Sequence, residues 1–357
     1  MNKTLTLALI LTLGACREPT ENSGPAFALQ EIRRYGWLEA PADAAGQAPQ
    51  GLPIDAGVLG SPGGVVRGAD SVTYVLDRQA KRIVGFGIDG APKKVILGGS
   101  GDGPGEFRWP SHLAARRDQL TVLDSDLSRV SVFDVSGAFA GSFTLGRPSS
   151  RLAWMGDTAW VPSVGRPGVE RPIAFAYSEN GDSLAVAPFP SSEDQAFGEG
   201  LGVVASQDGS LIVNSARPGI WYEFRGNAWS TIGAPLFPDM EPPIVERTAE
   251  RELTVTPAQA SASGVALVGD SLVVQLYWEF TRPFSWENPP GRDEIRRHLG
   301  VFSRAGRALD DIVLSQPGLD FNHLEGDPAS GHLFLFVSEP FPQVIEYALE
   351  VTPTLGR

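Results

Sequence analysis

An internal repeat constrains this chain more than any other feature of its sequence. The pattern from Val75 to Gly90 recurs 47 residues later, from Val122 to Gly137, with an apolar run, an arginine, a phenylalanine and a turn glycine in the same order. Weaker copies follow and bring the count to six units. Five units carry a turn glycine, at positions 90, 137, 181, 226 and 306. A repeat of this length indicates an architecture built from stacked copies of one supersecondary unit.

Each unit is long enough for a four-stranded antiparallel sheet. Its apolar runs are short and end at turns such as Asp89-Gly90 and Asn180-Gly181, which is typical of strands. Units of about 45 residues match propeller blades, whereas solenoid coils have about 20 to 30 residues. One sheet cannot cover both of its own faces, but six blades in a ring bury each face against a neighbour. The sequence therefore predicts an all-β fold, a six-bladed β-propeller with four-stranded antiparallel blades.

Two departures from the regular spacing carry further predictions. Residues 27–32 (Phe-Ala-Leu-Gln-Glu-Ile) precede the first full unit and are predicted to supply the outer strand of the last blade, which closes the ring. The step from Gly226 to Gly306 is 80 residues, against 44 to 47 for the earlier steps. We assign the excess to an insertion of about twenty residues or more at about 279–297. Within it, residues 290–299 have the composition of a short helix.

One loop resembles a known propeller family. Residues 98–110 (Gly-Gly-Ser-Gly-Asp-Gly-Pro-Gly-Glu-Phe-Arg-Trp-Pro) are similar to the loop signature of NHL-type six-bladed propellers, and residues 123–134 resemble the strand, turn and strand of that family. The resemblance covers residues 70–146. It implies the propeller fold but no single function, because the family includes protein-binding, RNA-binding, lyase and purely structural members.

The N-terminus resembles a bacterial lipoprotein signal peptide. Lys3 precedes an apolar run at 5–13 and the sequence Leu13-Gly14-Ala15-Cys16, which is similar to a lipobox. The apolar run is too short to span a bilayer. An ordinary export signal with a coincidental cysteine is the alternative. The resemblance divides the chain into a signal peptide, a lipidated cysteine with a flexible tether, and one propeller domain, at 1–15, 16–25 and 26–357.

Composition narrows the location and the partners. Cys16 is the single cysteine, so an exported domain would be held by its core without intramolecular disulfides. We expect a protein anchored to the bacterial cell envelope by its lipid alone. Arg17 follows the cysteine in place of the aspartate of the enterobacterial retention signal, which resembles outer-membrane sorting and favours that membrane over the inner one. The net charge of −13 opposes encounter with a polyanion and argues against nucleic acid as a partner.

Alignment of the six units predicts which residues of the innermost strands face the central channel. The six positions are Gly64, His112, Arg151, Gly202, Gly264 and His323. Imidazoles are good ligands for zinc or copper, so His112 and His323 are the metal ligands if a divalent metal is bound, together with a carboxylate such as Glu325. Two histidines without a third donor in register favour the other interpretation, in which they are hydrogen-bonded residues of the channel wall. No cofactor is predicted.

A second set of candidates lies on loops that a propeller gathers on one face. Arginine and aromatic residues on such loops are typical of a recognition surface. The candidates are Arg108, Trp109, Arg166, Arg171, Arg282, Trp286 and Arg292. The alternative is that arginines such as Arg292 only pair with neighbouring carboxylates at the surface, where each ion pair contributes about 0–1 kcal/mol.

These observations favour a binding scaffold over an enzyme without deciding between them. The scaffold would recognise an envelope protein, a peptide or an anionic glycan on its loop face. The rival hypothesis is a metal-dependent lyase or lactonase that uses the channel, which would need three or more polar groups within metal-ligand reach of one another. A passive spacer in an envelope complex would need neither feature.

Overall fold

The repeat folds into six four-stranded antiparallel blades arranged in a ring, which confirms the predicted all-β, six-bladed β-propeller. The computed structural model describes residues 26–36, 55–163, 172–189, 196, 199–205, 208–247, 253–316 and 318–352. Within them the repeat glycines 90, 137, 181, 226 and 306 all have positive φ, between 56° and 100°, and lie between the third and fourth strands of their blades. Glycine adopts this left-handed conformation without the steric penalty of a Cβ atom.

The strands follow chain order within the blades. Blade 1 comprises β2 (Pro62–Arg67), β3 (Thr73–Asp77), β4 (Arg82–Phe86) and β5 (Pro92–Leu97). Blade 2 comprises β6 (Pro110–Arg116), β7 (Gln119–Asp124), β8 (Arg129–Asp134) and β9 (Phe139–Thr144). Blade 3 comprises β10 (Ala153–Met155), β11 (Thr158–Pro162), β12 (Ala174–Tyr177) and β13 (Ser183–Ala187). Blade 4 comprises β14 (Glu199–Ala205), β15 (Leu211–Ser215), β16 (Ile220–Arg225) and β17 (Ala228–Gly233).

The last two blades differ from the first four in their connections. Blade 5 comprises β20 (Ala260–Val268), β21 (Leu272–Phe280), β22 (Ile295–Ser303) and β23 (Ala308–Leu314). Blade 6 comprises β24 (Leu319–Asp327), β25 (His332–Val337), β26 (Gln343–Thr352) and the N-terminal strand β1 (Ala26–Tyr35). A separate two-stranded hairpin, β18 (Ile244–Arg247) and β19 (Leu253–Thr256), stands between blades 4 and 5.

Burial of the strands follows from their place in the blade. All five residues of β3 are buried, because both faces of this central strand pack against neighbouring blades. The outer strand β9 is mostly exposed. Central strands therefore read as continuous apolar runs rather than as alternating patterns.

The hydrophobic core is divided among the seams between adjacent blades. One cluster joins Leu76 and Ile83 of blade 1 to Leu113 and Val122 of blade 2. The seam between blades 6 and 1 holds Phe336 and residues of β3 and β4. The described residues form six such clusters, one at each seam. Each blade therefore depends on both of its neighbours for burial.

The ring is closed by the N-terminal strand, as predicted. Strand β1 pairs antiparallel with β26, from Ala26 opposite Thr352 to Tyr35 opposite Val344, with a bulge between Glu31 and Arg33. The two ends of the described chain thus share one sheet, and this pairing holds the first and last blades together.

The predicted short helix at 290–299 is wrong. Only a 3-10 turn forms there, at Arg292–Glu294, and β22 begins at Ile295. Strand β22 pairs with β21 from Phe280 opposite Ile295 onward, so long-range pairing overrides the local helical composition. The extra residues of the long step are divided between the loop 281–294 and the segment 234–259, which contains the β18–β19 hairpin.

Candidate functional site

Several of the six predicted channel positions are related by close contacts between the innermost strands of adjacent blades. A Cβ atom added to Gly64 would lie 2.6 Å from the backbone nitrogen of Leu113, the residue after His112. Similar close approaches occur at two other seams. An added Cβ atom at Gly202 would lie 2.6 Å from the Val265 nitrogen, and one at Gly264 would lie 2.9 Å from the Leu324 Cβ and 3.3 Å from its nitrogen. Because Val265 follows Gly264 and Leu324 follows His323, these positions are equivalent around the ring.

His112 and Glu325 meet across the channel. They belong to blades 2 and 6, which flank blade 1, and His112 Nε2 lies 3.0 Å from Glu325 Oε1. His112 Nδ1 accepts a hydrogen bond from the backbone N–H of Leu152 at 3.3 Å. Since Nδ1 is the acceptor, Nε2 carries the proton and donates it to the carboxylate. Both ring nitrogens are therefore occupied by partners from other blades.

Glu325 is the charged centre of the channel. Burial raises the pKa of its carboxyl, but the hydrogen bond from His112 and the electrostatic influence of His112, Arg151 and His323 outweigh burial and hold the pKa below its usual value. Arg151 is buried and donates from Nη1 to the carbonyl oxygen of Ser150 at 3.3 Å. The His323 ring packs against Phe336, with centroids 5.0 Å apart. The structure thus brings the three predicted channel residues together around one carboxylate.

This arrangement limits the chemistry of the channel. A general base needs an available ring nitrogen, and His112 uses both of its nitrogens within the protein. Among the described residues, no group of three His, Cys, Asp or Glu side chains could hold a metal ion. The contacts of His112 with Glu325 and with Leu152 connect blade 2 to blades 6 and 3.

Three of the described arginines of the loop face are paired with carboxylates. We call the loop face the side of the ring that carries the links between blades and the turns between second and third strands. Arg108 pairs with Asp102 through two contacts. Arg282 Nε lies 2.6 Å from Glu294 Oε1, and Arg292 Nη1 lies 3.3 Å from Glu339 Oε1. The charge of each of these three arginines is therefore compensated within the chain.

The loop before blade 2 is held by its own backbone contacts. The buried carboxylate of Asp124 accepts hydrogen bonds from the backbone N–H groups of Arg108 and Trp109, at 2.7 and 3.1 Å. Its other oxygen accepts from the N–H groups of Asp126 and Leu127. Asp124 is thus a structural cap of the repeat. The side chain of Trp109 remains exposed.

A line of aromatic rings leads from blade 5 to the surface. Trp278, Phe280, Phe284 and Trp286 contact one another in order, with ring centroids 4.9, 5.7 and 5.1 Å apart. Trp286 at the outer end is 59% exposed and donates from Nε1 to Thr256 Oγ1 of the β18–β19 hairpin at 3.1 Å. The loop 281–294 and the hairpin therefore form one surface.

A cleft of about 330 Å³ opens beside these rings, and we call it the blade 5 cleft. Its walls are the segment 239–242, the hairpin and the loop after β21. The lining residues are Asp239, Met240, Glu241, Pro242, Ile244, Thr256, Pro257, Ala258, Gln259, Pro283 and Phe284. Ile244, a hydrophobic residue in this wall, is half exposed to solvent. Among the side chains that the structure describes, no Lys or Arg pairs with Asp239 or Glu241, so the cleft combines apolar and polar walls with two carboxylates that lack a basic partner.

Sequence reasoning found part of this surface. Trp286 and Arg282 lie on the loop that forms the cleft in blade 5, whereas Arg108 and Trp109 lie at the entrance to blade 2, three blades away around the ring. Three predicted residues lie outside the described residues: Arg166, Arg171 and Cys16. The hairpin and the segment 239–242 were missed, although the clustered prolines at 238, 242 and 243 interrupt the repeat and could have signalled an inserted segment.

Comparison with known proteins identifies the fold. No family model matches the chain, and no curated protein sequence matches it. A member of the DUF4221 family from Bacteroides vulgatus is similar in structure, with a TM-score of 0.62, 7% identity, and coverage of 92% of this chain and 99% of that one. A candidate exported protein from Bacteroides fragilis gives a TM-score of 0.55, 9% identity, and coverage of 93% and 97%. At these identities the similarity shows the fold alone.

The described residues contain no helix that is long and apolar enough to cross a membrane.

Proposed function

We propose that this protein is an envelope-anchored binding scaffold that recognises a peptide segment of a partner protein in the blade 5 cleft. The observation that carries the proposal is Trp286, 59% exposed at the end of a line of four aromatic rings. Large exposed aromatic residues beside a cavity are typical anchors of protein recognition.

Charge favours a peptide with basic residues. The cleft presents Asp239 and Glu241, whereas three described arginines of the loop face, Arg108, Arg282 and Arg292, are already paired with carboxylates. An anionic glycan would have to displace those pairs, and it would meet the carboxylates of the cleft. A segment with lysine or arginine next to aliphatic or aromatic residues complements both the charge and the apolar walls.

The hairpin offers a backbone contact as well. Strands β18 and β19 pair only with each other among the described strands. Their outer edges carry N–H and C=O groups that an extended peptide can pair with. An extended, basic and partly apolar segment is therefore the ligand that this surface fits.

Selection of peptides tests the proposal. A phage-displayed library of random dodecapeptides is selected on the full chain, and the selected peptides are measured against Trp286→Ser and Trp109→Ser. Trp109 is exposed to a similar degree, 56%, at the entrance to blade 2, three blades away from blade 5. We expect peptides enriched in Lys or Arg beside apolar residues, with affinity at least tenfold weaker for Trp286→Ser and unchanged for Trp109→Ser. Acidic peptides, or loss of binding only in Trp109→Ser, would refute the proposal.

Anchoring has its own test. The resemblance of residues 13–16 to a lipobox supports lipid attachment at Cys16, and the fold shared with a candidate exported protein is consistent with export. Expressed in a bacterium, the wild-type chain is expected in the membrane fraction and Cys16→Ser in the soluble fraction. Equal membrane association of both would refute anchoring through this cysteine.

A further inference from the structure

A second cavity lies on the side of blade 5, and we call it the His298 cavity. It has a volume of about 400 Å³. Its lining residues are Leu236, Phe237, Tyr277, Glu279, His298, Ala308, Asp310 and Asp311. None of these residues lines the blade 5 cleft, so the following inference stands independently of the proposed peptide binding.

His298 is fixed in orientation at the wall of this cavity. Its side chain is buried, with 6% of the residue exposed, and its ring stacks on Tyr277 at a centroid distance of 4.7 Å and an interplanar angle of 9°. His298 Nδ1 lies 3.0 Å from Asp311 Oδ2, and the same carboxylate, together with burial, raises the pKa of Tyr277. A carboxylate is an acceptor, so Nδ1 carries a proton and donates a hydrogen bond to Asp311.

The other ring nitrogen faces a second carboxylate. His298 Nε2 is buried and has no hydrogen-bond partner among the described residues, and Glu279 Oε1 lies 3.5 Å from it. A buried polar atom without a hydrogen-bond partner is an exception in folded proteins. The nearest arginine of the rim is Arg296, whose Nη1 lies 3.9 Å from the same Glu279 oxygen and whose side chain is mostly exposed. The geometry leaves a place for an N–H donor between the imidazole and the carboxylate.

The rest of the cavity suits a cation with an apolar stem. Asp310 and Asp311 add negative charge, and Phe237 packs edge-on against Tyr277 at 6.1 Å to give an aromatic wall. Aromatic faces attract ammonium and guanidinium groups within about 6 Å of the ring centroid. No Lys or Arg is among the described residues that line the cavity.

We propose that the His298 cavity binds a primary ammonium or guanidinium group on an apolar stem. The N–H groups of the ligand donate to His298 Nε2 and to Glu279, and the stem lies against Phe237 and Tyr277. A lysine or arginine side chain of another protein and a free alkylamine share this chemistry, and the experiment separates the two sources.

The test uses the full chain and calorimetric titration with n-butylammonium, agmatine and 1-butanol. We expect both cations to bind and the neutral alcohol to bind at least tenfold more weakly. Equal binding of 1-butanol would overturn the proposal, and this comparison needs no variant. Glu279→Gln is expected to weaken n-butylammonium binding at least fivefold, whereas Asp126→Asn, which removes an exposed carboxylate from blade 2, leaves it unchanged. Unchanged affinity in a folded Glu279→Gln protein would also overturn it.

The source of the cation is read from a second titration with the capped tripeptide acetyl-Gly-Lys-Gly-amide. Binding tighter than that of n-butylammonium would support a lysine side chain of a partner protein. Exclusion of the tripeptide together with binding of n-butylammonium would support a free amine. Failure of both cations to bind would overturn the proposed cation site, and it would not affect the proposal of peptide binding in the blade 5 cleft.

Discussion

Tyr35 donates a hydrogen bond from its hydroxyl to Glu346 Oε2 at 2.5 Å, and this contact joins the first described strand of the chain to the last. Glu346 is fully buried. Its other oxygen, Oε1, contacts His332 Nδ1 of blade 6 and Arg67 Nη2 of blade 1. Arg33 Nη1 of the closing strand lies 3.4 Å from Glu346 Oε2. The carboxylate of Glu346 therefore connects the closing strand β1 to blade 6 and to blade 1.

We expect Glu346→Gln to weaken ring closure strongly. The substitution leaves Arg67 and Arg33 without their shared counter-charge at a mostly buried site. Breaking a buried ion pair by removing one partner costs about 3–5 kcal/mol. Urea denaturation measures the loss of unfolding free energy, and Glu350→Gln, an exposed position on the same strand β26, is expected to stay within about 0.5 kcal/mol of wild type. Equal stability of the two variants would contradict the role assigned to Glu346.

The same carboxylate makes stability depend on pH. Burial raises the pKa of Glu346, but hydrogen bonds from Tyr35 and His332 and the charges of Arg67 and Arg33 outweigh it and hold the pKa below the ordinary value of 4.5. A lowered pKa in the folded state stabilises the protein above the unfolded value, and that contribution is lost as the pH falls through the folded pKa.

We therefore expect the unfolding free energy of wild type to decline as the pH falls below 4.5, and to decline less steeply in Glu346→Gln. Urea denaturation at a series of pH values between 7 and 3 measures both slopes. Glu325, whose pKa is also lowered, keeps its contribution in the variant and accounts for part of the remaining slope. Identical pH profiles of the two proteins would show that Glu346 contributes nothing to the acid sensitivity.

The fold was predictable because the local sequence features that specify its strands and turns recur in each unit. The turn at Gly137 and the apolar run of β7 each recur at a nearly constant spacing, and burial at the seams requires the same pattern in every blade. The closing strand was predictable for the same reason, because residues 27–32 form an apolar strand pattern that lacks a blade of its own.

The sites were less predictable because they depend on contacts between distant residues. Tyr35 and Glu346 are 311 positions apart, and His112 and Glu325 are 213 apart. The histidine that stacks on Tyr277 lay in a segment predicted to be helical, and only the pairing of β22 with β21 brings the two rings together. Local composition carries no information about such a pairing.

The His112–Glu325 contact is expected to couple blades 2 and 6. His112→Ala removes the hydrogen bond and leaves an ionised carboxylate in the channel, at a cost of about 3 kcal/mol. In a double-mutant cycle with Glu325→Ala, the two changes should be non-additive by about 1–3 kcal/mol, because they remove one interaction. Urea denaturation of the four proteins provides the cycle. Additivity within about 0.5 kcal/mol would mean that the two side chains act independently.

The tight approach of the innermost strands predicts a specific intolerance at Gly64. A Cβ atom there would lie 2.6 Å from the backbone nitrogen of Leu113, and backbone of a neighbouring blade cannot move aside as a flexible side chain can. Gly64→Ala should therefore lower the unfolding free energy by about 1–3 kcal/mol, the range for overpacking. Gly141→Ala is the matched control, because Gly141 lies in the outer strand β9 with nothing within 4 Å of an added Cβ. Alanine is favoured over glycine in a strand by about 0.5–1 kcal/mol, so the control should equal or exceed wild type in urea denaturation. Wild-type stability of Gly64→Ala would mean that blades 1 and 2 can separate at the channel without loss of their seam.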